Sequence, residues 1–121
     1  MATTATKAVK APAAVKKAAK AFEATSGKKL PPMNDDLIEI LSIPALECDH
    51  IAQLLPWIGY RVHGNNLKEI QAGVYEWMLN LYLEHGANWR QARHEKYEEG
   101  RDIRKKDAEA RGLFIPKPGK Y

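Results

Sequence analysis

The side chains of this chain that could do chemistry are mostly cationic and concentrated near its start. Residues 1–30 hold seven lysines and one acid, Glu23, which gives the segment a net charge of +6. Lysine ammonium groups attract the phosphates of nucleic acids without reading their sequence. The segment therefore predicts a binding surface for nucleic acid or for another acidic partner. Its candidate contacts are Lys7, Lys10, Lys16, Lys17, Lys20, Lys28 and Lys29.

A second cationic group is predicted near the C-terminal end. The period of an α-helix places the arginines of residues 89–111 on one side, together with Tyr97. A guanidinium matches phosphate oxygens as a planar fork, and a tyrosine can stack on a base. In the other interpretation, acidic residues of the preceding helix pair with these arginines, or water covers them. The candidate nucleic-acid contacts here are Arg90, Arg93, Arg101 and Arg104.

Catalytic and metal-binding patterns are weak throughout the sequence. Cys48, Asp49 and His50 are adjacent, but side chains at i and i+2 point to different sides of a helix. No Cys-x-x-Cys or His-x-x-x-His spacing accompanies them, and the two serines stand in no Gly-x-Ser-x-Gly elbow. Glycine patterns that cradle phosphates are also missing. We therefore predict a protein that is not an enzyme, with no metal and no cofactor, and with Cys48 as a small buried residue.

Length and composition limit the architecture. A chain of 121 residues with 45% hydrophobic and 28% charged residues suits one small domain. It contains no run of about 20 apolar residues, so no transmembrane segment is expected. A single cysteine cannot form an internal disulfide, which favours a reducing compartment. The charge alternates along the chain, because residues 31–86 carry two cations against eight acids.

The hydrophobic pattern predicts an all-α fold. Asn34 or Asp35 is expected to cap a short helix, and a second helix spans residues 44–55. Asn66, followed three residues later by Glu69, is a capping box that opens a core helix ending at Gly86.

A last helix over residues 89–111 follows a short connection, with Asn88 and Gln91 as its expected capping box, which predicts an antiparallel helical hairpin. The fold class is thus a small bundle of about four helices, with a C-terminal antiparallel hairpin and a basic N-terminal arm. For residues 57–66 the sequence allows a short helix, a loop or a strand.

Three segments follow from this pattern: a basic arm with a proline linker over residues 1–33, a helical domain over 34–112, and an apolar, proline-containing tail over 113–121. Before Phe22 the arm has no aromatic or long aliphatic residue, so burial is not expected to offset the entropy of ordering it. We expect it to be disordered alone and to become helical from about residue 13 on the surface of a partner.

Three function hypotheses remain open. The preferred one is a non-catalytic accessory or structural protein of a larger assembly, with a viral particle component as the preferred instance, located in the cytoplasm or in a virion. Its partners would be nucleic acid or an acidic protein surface at the arm, other proteins of the assembly, and a second copy of the chain. An organelle-targeted assembly subunit is the second, because residues 1–22 are basic, hydroxyl-bearing and acid-free like transit peptides, although they lack arginine. A small regulatory inhibitor that binds one host protein is the third.

Overall fold

The computed structural model describes residues 10–112, and over that range the chain is all-α with no strand. Lys7 and the predicted tail, residues 113–121, lie outside the described residues. Two 3-10 turns, Leu55–Ile58 and Gly86–Asn88, connect α-helices in the second half of the described range. The α-helices are α1 (Ala13–Ser26), α2 (Asp35–Leu41), α3 (Ala45–Leu54), α4 (Leu67–His85) and α5 (Trp89–Ala110).

Two of the predicted caps are confirmed. The side chain of Asn34 accepts a hydrogen bond from the backbone N–H of Leu37 at 2.9 Å, which starts α2. Asn66 likewise accepts from the N–H of Glu69 at 2.9 Å at the start of α4. The carboxylate of Glu69 completes the box one residue earlier than expected, since it accepts from the N–H of Asn65 at 2.7 Å. Each cap satisfies backbone donors that a helix start leaves without a partner.

The third predicted cap, at the start of α5, is wrong. Asn88 makes no side-chain hydrogen bond to the helix, and Gln91 donates instead to Glu95 at 3.0 Å. A capping side chain reaches the helix from an extended backbone, whereas Asn88 ends the 3-10 turn with φ −89° and ψ 10°. The turn itself depends on Gly86, whose φ of +59° ends α4.

The segment around Pro56 joins α3 to α4. Proline has no backbone N–H, so it cannot extend the hydrogen-bond ladder of α3, and the helix gives way to a 3-10 turn. Gly59 closes that turn with φ +86°, and residues 60–66 run as a loop to the start of α4. The open segment 57–66 is therefore the end of a 3-10 turn and a loop. The predicted helix over 44–55 is α3, for which Pro44 stands just outside as the capping residue.

The core lies mainly between α1, α2, α3 and α4, and Trp89 of α5 closes it. Cys48 is fully buried, as predicted, and burial raises the pKa of its thiol to about 11. The turn between α2 and α3 is fixed to α4, because the carbonyl of Ile43 accepts from Gln71 at 3.0 Å and from the hydroxyl of Tyr75 at 2.8 Å. The largest fully buried side chains are Trp89, Leu37, Ile40, Leu55, Met78, Leu79, Val74 and Cys48.

The N-terminal segment differs from the expectation of an arm that needs a partner in order to fold. Val15, Ala19 and Phe22 of α1 are 3%, 8% and 6% exposed, and α1 packs on α2 and α4. Leu30 is also buried, and its N–H donates to the carboxylate of Glu23 at 2.7 Å. The chain's own body therefore supplies the surface that was expected from a partner. The low average hydrophobicity of the segment indicated disorder. Three apolar residues on one helical stripe are nevertheless enough to hold a helix in place where the rest of the core is already present.

Candidate nucleic-acid interface

The lysines of α1 lie on the side of the helix that faces away from the core. Because α1 has 3.6 residues per turn, Lys16, Lys17 and Lys20 fall within about 100° of one another, opposite the stripe that contains Phe22. All three side chains are exposed. We call these three residues the lysine face. Lys10 is exposed three residues before α1 begins.

Acids lie near the lysine face but form no ion pair with it: Glu23 follows Lys20 by three residues on α1, and Glu69 and Glu76 line a groove together with Lys17. Among residues 10–112, none of its three lysines forms an ion pair with a carboxylate. Glu23 is the only acid of α1, and its carboxylate accepts the hydrogen bond from Leu30. The positive charge of the lysine face is therefore available to a ligand.

Two further predicted contacts follow α1 in the linker. Gly27, with φ +74°, ends the helix in a left-handed conformation, and both Lys28 and Lys29 after it are exposed. The ammonium group of Lys28 donates to the side-chain oxygen of Asn80 on α4 at 2.6 Å. Because Asn80 is neutral, this bond positions the charge of Lys28 and leaves it uncompensated.

Arg90, by contrast, forms ion pairs with carboxylates of the protein itself. Its guanidinium donates to Asp36 at 2.7 Å and to Glu39 at 3.1 Å, and both acids belong to α2. The hydrogen bonds to Glu39, more than those to Asp36, raise the pKa of the guanidinium. Internal pairing of the arginines was one of the two interpretations left open, but the acids were expected on the preceding helix, α4. For Arg90 they come from α2.

Arg93, Arg101 and Tyr97 form a cluster that also includes Trp77 of α4. The guanidinium carbons of Arg93 and Arg101 lie 5.9 and 5.8 Å from the centre of the Tyr97 ring. That ring stacks on Trp77, with 6.0 Å between ring centres and 20° between the planes. Burial is the main cause that raises the pKa of Tyr97 to about 12. The aromatic partner of Tyr97 is therefore Trp77, in the position where a base was expected.

The remaining predicted arginine contacts differ in their surroundings. Arg101 forms an ion pair with Glu98, one turn earlier on α5, at 3.0 Å. Arg104 is exposed and has no ion pair to another residue of the described range. Of the four predicted arginines, two thus have carboxylate partners and Arg93 lies over aromatic rings, including that of Trp89 at 4.7 Å. Arg104 is thus the one predicted arginine that has neither a carboxylate nor an aromatic partner within residues 10–112.

A groove of about 540 Å³ separates α1 from α4. Its apolar lining includes Ala14 and Ala18 of α1, and its charged lining is balanced. The charged lining residues are Lys17, Lys68, Glu69 and Glu76, with His63 beside them. A groove with equal numbers of cations and acids selects no simple ion.

Residues 10–112 contain neither a metal-binding cluster nor a membrane-spanning helix. In that range, no three His, Cys, Asp or Glu side chains stand close enough together to hold a metal ion. Over the same part of the chain, no helix combines the length and the apolar composition that crossing a membrane needs.

Comparisons with models of known protein families, with curated proteins and with solved structures find no match to this chain. Its function is therefore argued from its own surface. The feature that sequence reasoning missed is the fixed position of Lys16, Lys17 and Lys20 on a packed helix. The signal was present, because Val15, Ala19 and Phe22 already stand at the spacing of one helical stripe.

Proposed function

We propose that this protein is a non-catalytic accessory protein of a larger assembly and binds nucleic acid through the lysine face of α1. The observation that carries the proposal is a row of three exposed lysines, without carboxylate partners in the described range, on a helix whose other side is buried in the core. Such a face attracts phosphates whatever the base sequence. A viral particle is the assembly we favour, since packaging needs contacts of this kind.

The charge of the rest of the body supports this orientation. Residues 31–86, which include α2 and α4, hold two cations and eight acids. A surface with this balance repels phosphates, so nucleic acid would approach from the side of α1. The α5 arginines contribute less than the sequence suggested, because Arg90 and Arg101 are paired with carboxylates.

The burial of α1 favours this hypothesis over the organelle-targeted subunit. Removal of residues 1–22 as a transit peptide would take Val15, Ala19 and Phe22 out of the core. The body that remained would expose the surfaces of α2 and α4 on which α1 packs. A removable leader has no need of such contacts.

We also infer that α4 and α5 form the antiparallel hairpin predicted from their short connection. Met78 lies 3.9 Å from the guanidinium of Arg93, and Trp77 stacks on Tyr97. The earlier position on α4 meets the later position on α5, which supports opposite directions for the two helices.

A titration with matched charge variants tests the proposed function. Binding of the intact chain to a fluorescent nucleic acid is measured by anisotropy over a range of salt concentrations, for wild type, K16E/K20E and K96E/K105E. The two variants change the net charge equally, and Lys96 and Lys105 are exposed on a different helix, α5. Circular dichroism checks that both variants fold.

We expect K16E/K20E to bind weakly and to lower the magnitude of the salt slope by about 2, since two phosphate contacts are lost. The control K96E/K105E should stay close to wild type. Equal losses in both variants would show that net charge, and not the lysine face, governs binding. Absence of binding by the wild type at low salt would refute the proposed function.

A further inference from the structure

We propose that the ligand of the lysine face is a nucleic-acid duplex rather than a single strand. This inference rests on the proposed function and specifies the form of nucleic acid that the same surface takes. It follows from the chemistry and the rigidity of α1.

The lysine face offers charge without a platform for stacking. Proteins that bind single strands combine cations with aromatic side chains on which successive bases stack. Phe22 is the only aromatic residue of α1, and it is 6% exposed on the opposite side of the helix. The residues that share the outer side with the lysines are Ala13 and Ala24, which are small and exposed, and the half-buried Glu23, whose carboxylate accepts from Leu30. None of the three offers a ring.

Other aromatic rings of the described range are engaged within the fold. Tyr97 and Tyr60 lie with their ring centres 6.0 and 6.4 Å from that of Trp77, and Trp89 is fully buried. The hydroxyl of Tyr82 accepts a hydrogen bond from Asn34 at 2.9 Å. Tyr75 lines the groove that Lys17 also lines, and its hydroxyl donates to the carbonyl of Ile43 at 2.8 Å, so this ring is held by the fold as well.

The rigidity of α1 also favours a duplex. Packing on α2 and α4 fixes the lysine positions, and the carboxylate of Glu23 ties the linker back to the helix. A duplex presents phosphates at fixed positions, whereas a single strand must be ordered against the helix at a cost in entropy. With 14 residues, α1 is about 21 Å long, and a duplex offers over that length about twice the phosphates of one strand.

The difference in affinity between a duplex and a single strand can be estimated from the release of counterions. Three phosphate contacts predict a salt slope of about −2.7 on a B-form duplex and about −2.1 on a single strand. With the two affinities taken as equal at 1 M salt, this difference in slope makes the duplex bind about fourfold more tightly than the single strand at 0.1 M salt.

The test compares four labelled probes of equal length and mixed sequence: a DNA duplex, an RNA duplex and the corresponding single strands. The intact chain is titrated with each probe at 0.1 M salt and at two other salt concentrations, and K16E/K20E is titrated in parallel. We expect a duplex to bind about fourfold more tightly than its strand, and the preference to be lost in the variant. A preference confined to DNA or to RNA duplexes also supports the inference.

Single strands that bind as tightly as duplexes, or more tightly, would overturn the inference and leave the proposed function intact. Failure of all four probes to bind would instead refute the proposed function. A duplex preference that K16E/K20E retains would place the duplex contact elsewhere on the protein and would also overturn the inference.

Discussion

Replacement of Phe22 by alanine tests whether α1 belongs to the core. Phe22 is 6% exposed and is the largest of the three buried side chains of α1. Truncation of a buried phenylalanine costs about 3–5 kcal/mol in the free energy of unfolding, because apolar contacts are lost and a cavity remains. Since Phe22 also lines the groove between α1 and α4, the new cavity can open to water. We therefore expect the free energy of unfolding to fall by about 3 kcal/mol, near the lower end of that range.

The assay is urea denaturation followed by circular dichroism, for F22A and for the control L46A. Leu46 is 66% exposed on α3, so its truncation should change the free energy of unfolding by less than about 0.5 kcal/mol. Hydrogen exchange in F22A should increase first in residues 13–26, because α1 has the fewest remaining core contacts. A loss below about 1 kcal/mol, with α1 amides exchanging as fast in the wild type as in an unfolded chain, would show that α1 is a free arm.

Two more predictions concern caps and burial. Because Asn66 caps α4 and Asn88 makes no cap bond, N66A should lose about 1 kcal/mol of stability in urea denaturation while N88A stays near wild type; equal losses would contradict the assigned caps. Burial raises the pKa of Cys48 from 9.0 to about 11, so the folded state disfavours the thiolate. The stability that this group contributes is therefore complete below pH 9 and is lost as the pH rises toward 11. A thiol reagent at pH 8 should therefore modify Cys48 only as fast as the protein unfolds, and modification independent of added urea would contradict its burial.

The sequence predicted the helices where local chemistry determines them. Asn34 and Asn66 cap helices through their own side chains, and such caps depend on neighbouring residues alone. The cap expected at Asn88 failed because the backbone of a 3-10 turn, which depends on the path between two packed helices, decides whether the side chain can reach. The folding of α1 likewise depends on residues distant in sequence, since Val15 and Phe22 become core residues only when α2 and α4 are already in place.

The candidate interface was predictable in composition and not in arrangement. Charge counting found the lysines, but the pairing of Arg90 with Asp36 and Glu39 joins residues more than fifty positions apart in sequence. No short-range pattern predicts such a contact. The sequence therefore left open whether the arginines are paired within the fold or available to a ligand, and the contacts between α5 and α2 decide this for Arg90.

The lysine face is maintained at the expense of helix stability. Lys16 and Lys20 are separated by one turn of α1, and like charges at this spacing destabilise a helix by about 0.2–0.5 kcal/mol. The first turn of α1 has no acid to favour its dipole, and its capping residue, Pro12, makes no side-chain bond. Isolated helices of this length are marginal in water, so burial of Phe22 and its neighbours is what holds α1 in place. A bound phosphate backbone would neutralise the repulsion between the lysines, and nucleic acid should therefore stabilise the folded protein by mass action.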